Sequence, residues 1–262
     1  MLRVSIYSFL LLLLITNLEA QIITDRPSES TSIYIVNPGS LQFESGIQIT
    51  SQRNENLFLN SDRVSVSESV AFPQLLFRYG IYRNFELRYN INLTNLGPSF
   101  DILDNSLGFK YRFYNSDKIS FGTIVTLGAT TYLAEAASYY VLNINIPIDI
   151  SLSEDFSLTS NTIYDVGLYG TSDLSYLSQI LLLGYSMNNS SLYVEGRLDY
   201  ILPPSIDKGE YKLLGNIGYQ YVINNNAIDF RLGIDRTEDM KVNGNIIITN
   251  RFFNIGYSRI LF

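Results

Sequence analysis

The chain predicts an all-β fold: a transmembrane, antiparallel, up-and-down β-barrel of about 12 strands. Three observations predict it. Apolar and polar residues alternate with a period of two over runs approaching the roughly 9 to 11 residues that a tilted strand needs to cross a hydrocarbon layer. Short polar links alternate along the chain with longer ones, the rhythm of periplasmic turns and extracellular loops. The composition is poor in charge and rich in strand formers, with 20 Tyr and 15 Phe, charged residues at 16%, and no Cys, His or Trp.

The elements follow in order. Residues 1–20 read as a secretory signal peptide, with Arg3 as the charged start, an apolar run over 6–15 and a polar stretch ending at Ala20, before the expected cut at Gln21. That run is too short for a spanning helix, which needs about 20 apolar residues. Residues 21–39 contain Asp25, Arg26, Pro27 and Pro38, which break regular structure. They form either a periplasmic lead-in or a small plug, with Asp25 and Arg26 as plug candidates and Arg26 expected to meet Glu86. Residues 40–262 are the barrel.

Within it, 84–93 sets Phe85, Leu87, Tyr89 and Ile91 against Glu86, Arg88, Asn90 and Asn92, and 140–151 sets six apolar residues against Asn143, Asn145, Pro147, Asp149 and Ser151. No helical period fits these runs. Two-faced runs recur at 106–114, 119–132, 192–200, 211–221 and 227–235, and weaker ones at 41–50, 72–79, 156–168, 176–187 and 252–262. The tight links are 80–83, 115–118, 152–155, 188–191 and 224–226, rich in Asn, Ser and Asp as turns require. The long links are 51–71, 94–105, 133–138, 170–175, 201–210 and 236–251. With the first strand running outward, the long links fall outside and both termini lie in the periplasm of a bacterial outer membrane. Residues 245–249 are apolar enough to be an extra strand or part of one, so the count carries a tolerance of two. Phe253, Ile255 and Tyr257 share one parity while Ile260 and Phe262 share the other, which predicts a bulge near Ser258 or a frayed end.

A soluble β-sandwich would bury the same apolar parity between two sheets. The loop rhythm argues against it, supported by aromatics near strand ends (Phe85, Phe113, Phe121, Tyr132, Tyr200 and Tyr221), where a barrel carries interfacial girdles. A final Phe262 suits recognition by barrel assembly machinery, which with outer-membrane lipid is an expected partner.

The net charge of −7 argues against nucleic acid. With no His and no Cys there is no His-based triad, cysteine nucleophile or usual zinc site. Paired carboxylates remain, but nothing singles out a pair, so neither an enzyme nor a cofactor or metal site is expected. The charges on the inward parity are the candidate pore lining: Glu86, Arg88, Lys110, Arg112, Glu195, Arg197, Asp199, Lys212, Asp229 and Arg231. Opposed charges either line a narrow pore or fill the lumen with ion pairs. In an open pore, Glu86, Arg88, Lys110 and Arg112 would make a locally cationic wall that favours anions.

Five segments carry a resemblance: Thr24-Asp25-Arg26-Pro27, Gly39-Ser40-Leu41-Gln42-Phe43-Glu44-Ser45-Gly46, Leu75-Leu76-Phe77-Arg78-Tyr79-Gly80, Asn84-Phe85-Glu86-Leu87-Arg88 and Gly108-Phe109-Lys110-Tyr111-Arg112-Phe113. They resemble the opening of the outer-membrane transporters grouped with the meta-pathway of phenol degradation. Beyond residue 113 only the strand rhythm matches. The resemblance implies a barrel that carries small solutes, aromatic or anionic among them, and names no catalytic residue. The alternative expectation is a structural or surface-binding barrel whose outer loops engage a partner without transport.

Overall fold

The computed structural model describes residues 24–25, 29–56, 64–95, 100–133, 137–169, 175–202, 210–241 and 244–262. Twelve strands follow in chain order: β1 Leu41–Asn56, β2 Val64–Tyr82, β3 Phe85–Asn95, β4 Phe100–Asn115, β5 Ile119–Tyr132, β6 Ala137–Ser151, β7 Phe156–Tyr169, β8 Ser175–Met187, β9 Ser190–Leu202, β10 Glu210–Ile223, β11 Asn226–Lys241 and β12 Gly244–Ile260. Each pairs antiparallel with its chain neighbours, and β1 pairs with β12, so the sheet closes on itself. Closure leaves no unpaired edge for another chain to extend. The expected signal peptide lies outside the described residues, as do the tips of the long links.

Burial is inverted relative to a water-soluble domain. Inward side chains such as Glu44, Arg78, Glu86, Lys110, Asn161 and Asp229 have no solvent exposure, while outward Leu107, Leu127, Val194, Leu213 and Leu232 are each more than half exposed. Lys, Glu and Arg are almost never fully buried unless paired, so the interior must be an ion-paired lattice. A sandwich would place the same two parities the other way round. Aromatic rings pair on the outer surface toward both strand ends: Phe85 with Phe109, Tyr114 with Phe121 and Phe156 with Tyr185 near the tight turns, and Tyr200 with Tyr211 at the opposite end.

The strands run further than alternation predicts. Strands β1 and β2 take up much of the 51–71 link, and β11 and β12 leave only 242–243 between them. The added stretch of β1, Ser51 to Asn56, is polar on both parities, so hydropathy gives no strand signal there although backbone pairing continues on both sides, whereas in β2 Val64 and Val66 alternate with Ser65 and Ser67 within the expected 51–71 link. Residues 245–249 lie in β12, pairing with β11 throughout and with β1 from Ile246 on, so the described residues form twelve strands. No bulge lies near Ser258. The register of β12 is continuous with both neighbours to Ile260 and Arg259 respectively. Ile260 breaks the expected parity because it points inward, packing with Ala227 and Val222 at the turn end of the lumen. Phe262 lies past the strand, where its carbonyl still accepts the Leu41 amide at 3.0 Å.

The tight turns occur where polar links predict them. Asn188 and Asn224 adopt φ of 42° and 53°, a left-handed conformation that Asn tolerates better than most residues.

Candidate functional site in the barrel lumen

Residues 24–25 and 29–36 lie inside the barrel, mostly in the half nearer the tight turns, and 37–39 lead out to β1. Pro38 bridges to Gly80, and the Gly39 amide donates to the Gly80 carbonyl at 2.8 Å. A Cβ on Gly80 would overlap the carbonyl oxygens of Val36 and Asn37, so the segment reaches the wall only because residue 80 has no side chain.

From there the segment crosses the lumen, and its backbone amides are caught by acceptors on successive strands. Glu86 on β3 accepts Val36 N–H at 2.9 Å. Asp149 on β6 accepts Ile33 N–H at 2.8 Å and the Ser32 hydroxyl at 2.7 Å. Asn161 on β7 accepts Thr31 N–H at 2.8 Å and donates back to its carbonyl at 3.1 Å. Glu195 on β9 accepts Glu29 and Ser30 N–H at 3.0 and 2.8 Å. A chain without regular structure must satisfy its buried amides somewhere, and here the wall supplies the partners.

Asp25 then meets three cations on three adjacent strands. Its Oδ2 lies 2.6 Å from Arg88 Nη1, 2.8 Å from Lys110 Nζ and 3.4 Å from Arg78 Nε. Arg78 also donates to Glu86 at 2.8 and 3.0 Å, to Glu44 at 3.1 Å and to the Tyr34 carbonyl at 3.0 Å. Lys110 donates to the carbonyls of Ser32 and Tyr34. Across the lumen, Glu29 pairs with Arg231 at 2.6 Å and Arg197 at 3.2 Å. Arg231 also lies over the Phe252 ring, 4.7 Å from its centroid.

Burial opposes charge on Asp25, but Arg78, Lys110 and Arg88 outweigh it and hold the carboxyl well below the usual carboxylate range. Burial likewise pushes Glu29 up, and Arg231 and Arg197 outweigh it, holding it at about 2 against an ordinary 4.5. The docked pKa is the depressed one. The charge contribution to docking is therefore complete above about 4.5 and lost as pH falls toward 2. Docking of the segment is expected to be constant from pH 7 to pH 5 and to weaken only below about 4. Protection factors of the amides of residues 29–36 over that range check it; a fall already at pH 6 would mean that other groups hold the segment.

Of the ten lumen candidates, Glu86, Arg88 and Lys110 meet in the Asp25 cluster. Glu195, Arg197 and Arg231 meet around residues 29 and 30, with Asp199 bound to Arg197 at 2.6 Å. Lys212 stands apart, 3.1 Å from Asp235, and Asp229 is fully buried. Arg112 does not join the cationic wall; it sits at the turn end and donates to the Arg83 carbonyl at 2.8 Å. Arg26, and with it the expected pairing with Glu86, lies outside the described residues; Glu86 accepts from Arg78. Sequence reasoning passed over Arg78, Glu44 and Gln42. Their signal was present, since Gln42 and Glu44 share one parity of 41–50, and Gln74, Leu76 and Arg78 share one parity of 72–79. Each of the five segments that carry the resemblance contributes at least one charged residue to this cluster, through Asp25, Glu44, Arg78, Glu86, Arg88 and Lys110.

Beside the segment lies a cavity of about 360 Å³, bordered by Asp25, Glu29, Arg88 and Arg231 and otherwise by amides and hydroxyls such as Asn90, Asn92, Asn143 and Thr126, with Leu76 and Ile124 the apolar exceptions.

No family model and no curated protein matches the chain. Among solved structures, an outer membrane channel from Pseudomonas putida F1 is similar over 92% of this chain and 100% of its own, at a TM-score of 0.61 and 14% identity. The KdgM porin in complex with oligogalacturonate matches over 81% and 98%, at 0.51 and 10%. The translocator domain of the autotransporter NalP from Neisseria meningitidis matches over 85% and 89%, at 0.52 and 9%. At these identities the likeness is one of fold, and a fold shared by a channel, a porin and a translocator does not fix the cargo.

Proposed function

We propose that the protein is an outer-membrane channel for small polar solutes, closed at rest by residues 24–39 acting as a plug, with both termini in the periplasm. The observation that carries the reading is the plug itself: a segment without regular structure, held in a polar lumen by side chains of many strands, beside a cavity that the plug partly walls. The apolar outer surface with its aromatic ends suits a bilayer, and the charged interior suits water and polar cargo. Of the proteins whose fold this chain shares, one is an outer membrane channel and another a porin in complex with oligogalacturonate, which supports a channel role here. Grouping with the meta-pathway transporters rests on the five opening segments. A hydrocarbon would find little beyond Leu76 and Ile124 in the cavity, so the polar side of that family's proposed cargo is the better fit.

Liposome swelling tests the reading. Protein lacking residues 22–32, folded as judged by faster migration on a denaturing gel before boiling than after, is expected to admit sugars and dicarboxylates. Folded protein that passes none of them would mark a closed structural barrel.

A further inference from the structure

We propose that Asp25 occupies the lumen's own carboxylate-binding site, and that the natural solute is a small hydroxylated carboxylate that competes with Asp25 for Arg78, Arg88 and Lys110 and thereby releases the plug. The inference rests on the channel reading and names its solute and its trigger.

The charge count carries it. In the cluster the wall contributes three cations, Arg78, Arg88 and Lys110, against two anions, Glu44 and Glu86; Asp25 makes the third anion and brings the sum to zero. All but Arg88 are fully or nearly fully buried, and Arg88 is 12% exposed, on the side of the cavity. When Asp25 leaves, one positive charge remains uncompensated in a narrow, poorly solvated lumen, which is costly unless an anion takes its place. The donors it leaves are a guanidinium on each of two strands and an ammonium on a third, directed at one oxygen. A guanidinium fork and an ammonium are the groups that recognise a carboxylate.

The neighbouring cavity says what should be attached to that carboxylate. Its walls near Arg88 are Asn90, Asn92, Ser106, Thr126 and Asn143, which offer donors and acceptors to hydroxyl groups. Its 360 Å³ holds about twelve waters at ~30 Å³ each, room for a six-carbon acid and a few waters. The solute and the plug therefore share the cation site, and binding of one must lower the affinity of the other.

The test uses the full chain in planar bilayers at fixed chloride, with gluconate as the probe and sorbitol as its neutral counterpart. Gluconate is expected to raise the open probability roughly tenfold over sorbitol at equal concentration. Asp25→Asn protein, still heat-modifiable on a gel, is expected to be open without solute and to show brief gluconate blockades that disappear when Arg88→Gln is added. Equal effects of gluconate and sorbitol, in a preparation whose 22–32 deletion conducts potassium chloride, would overturn the solute assignment and leave the channel standing. A folded deletion variant that carries no current would overturn the channel reading, and this inference with it.

Discussion

Removing residues 22–32 is expected to raise single-channel conductance several-fold and to expose an anion preference that the intact protein lacks. The deletion takes away Asp25, the amides of Glu29, Ser30 and Thr31, and the Ser32 hydroxyl, leaving the rest of the plug anchored mainly through Ile33, Val36 and Gly39. A hydrogen bond to a charged carboxylate is worth about 1.5–3 kcal/mol. Loss of the two that Glu195 accepts would alone cost ~3 kcal/mol or more and shift the closed-to-open ratio by about a hundredfold. The wall cations that Asp25 neutralised then face water, so reversal potentials across unequal potassium chloride solutions should move toward anion selectivity. Gly80→Val supplies an independent route, because it drives the plug off β2 without altering a single charge. It should raise conductance as well. A deletion variant that conducts like the intact protein would mean that residues 24–39 do not occlude the path.

This expectation also shows which parts of the protein are readable from sequence. Period-two alternation and turn chemistry located every strand because each crosses a medium that sorts its two faces, as in β3, where Glu86 and Arg88 alternate with Leu87 and Tyr89. It failed where that sorting stops. Gln52 to Asn54 are polar on both faces, yet remain in the ladder because backbone hydrogen bonds do not depend on hydropathy. Ile260 misled for the opposite reason: an apolar residue at the turn end of the lumen can pack on Ala227 rather than face lipid. At the site, parity correctly assigned Glu86, Arg88 and Lys110 to the interior, but pairing across the lumen depends on which strands the plug crosses. No local pattern encodes that Asp25 sits against Arg78, Arg88 and Lys110, although the shared parity of Gln74, Leu76 and Arg78 already directed Arg78 inward.

Arg78→Met is expected to destabilise the barrel by about 3–5 kcal/mol, the cost of breaking a buried pair by removing one partner. Its guanidinium is the common neighbour of Glu44, Glu86 and Asp25, and it has no exposed surface. Without it, three buried carboxylates share the charges of Lys110 and Arg88 alone. The contrast with Asp25 sharpens the prediction. On the proposed reading the plug is free to withdraw when Asp25 is neutralised, because only non-covalent contacts hold it, so the cost appears as opening. Glu44 and Glu86 are fixed in β1 and β3 and cannot withdraw, so the cost of losing Arg78 appears as instability. The readout is the temperature at which the unheated and boiled forms cease to differ on a denaturing gel, expected to fall clearly below that of the unaltered protein. Arg78→Lys should recover only part of the loss, because an ammonium keeps the charge but cannot bridge both Glu86 oxygens and reach Glu44 in the geometry of a guanidinium. Adding Glu44→Gln to Arg78→Met should recover part by another route, since it removes one of the stranded charges. If Arg78→Met unfolds at the unaltered temperature, water must already reach the cluster, and the cations around Asp25 would lose the low-dielectric setting that makes a competing carboxylate necessary.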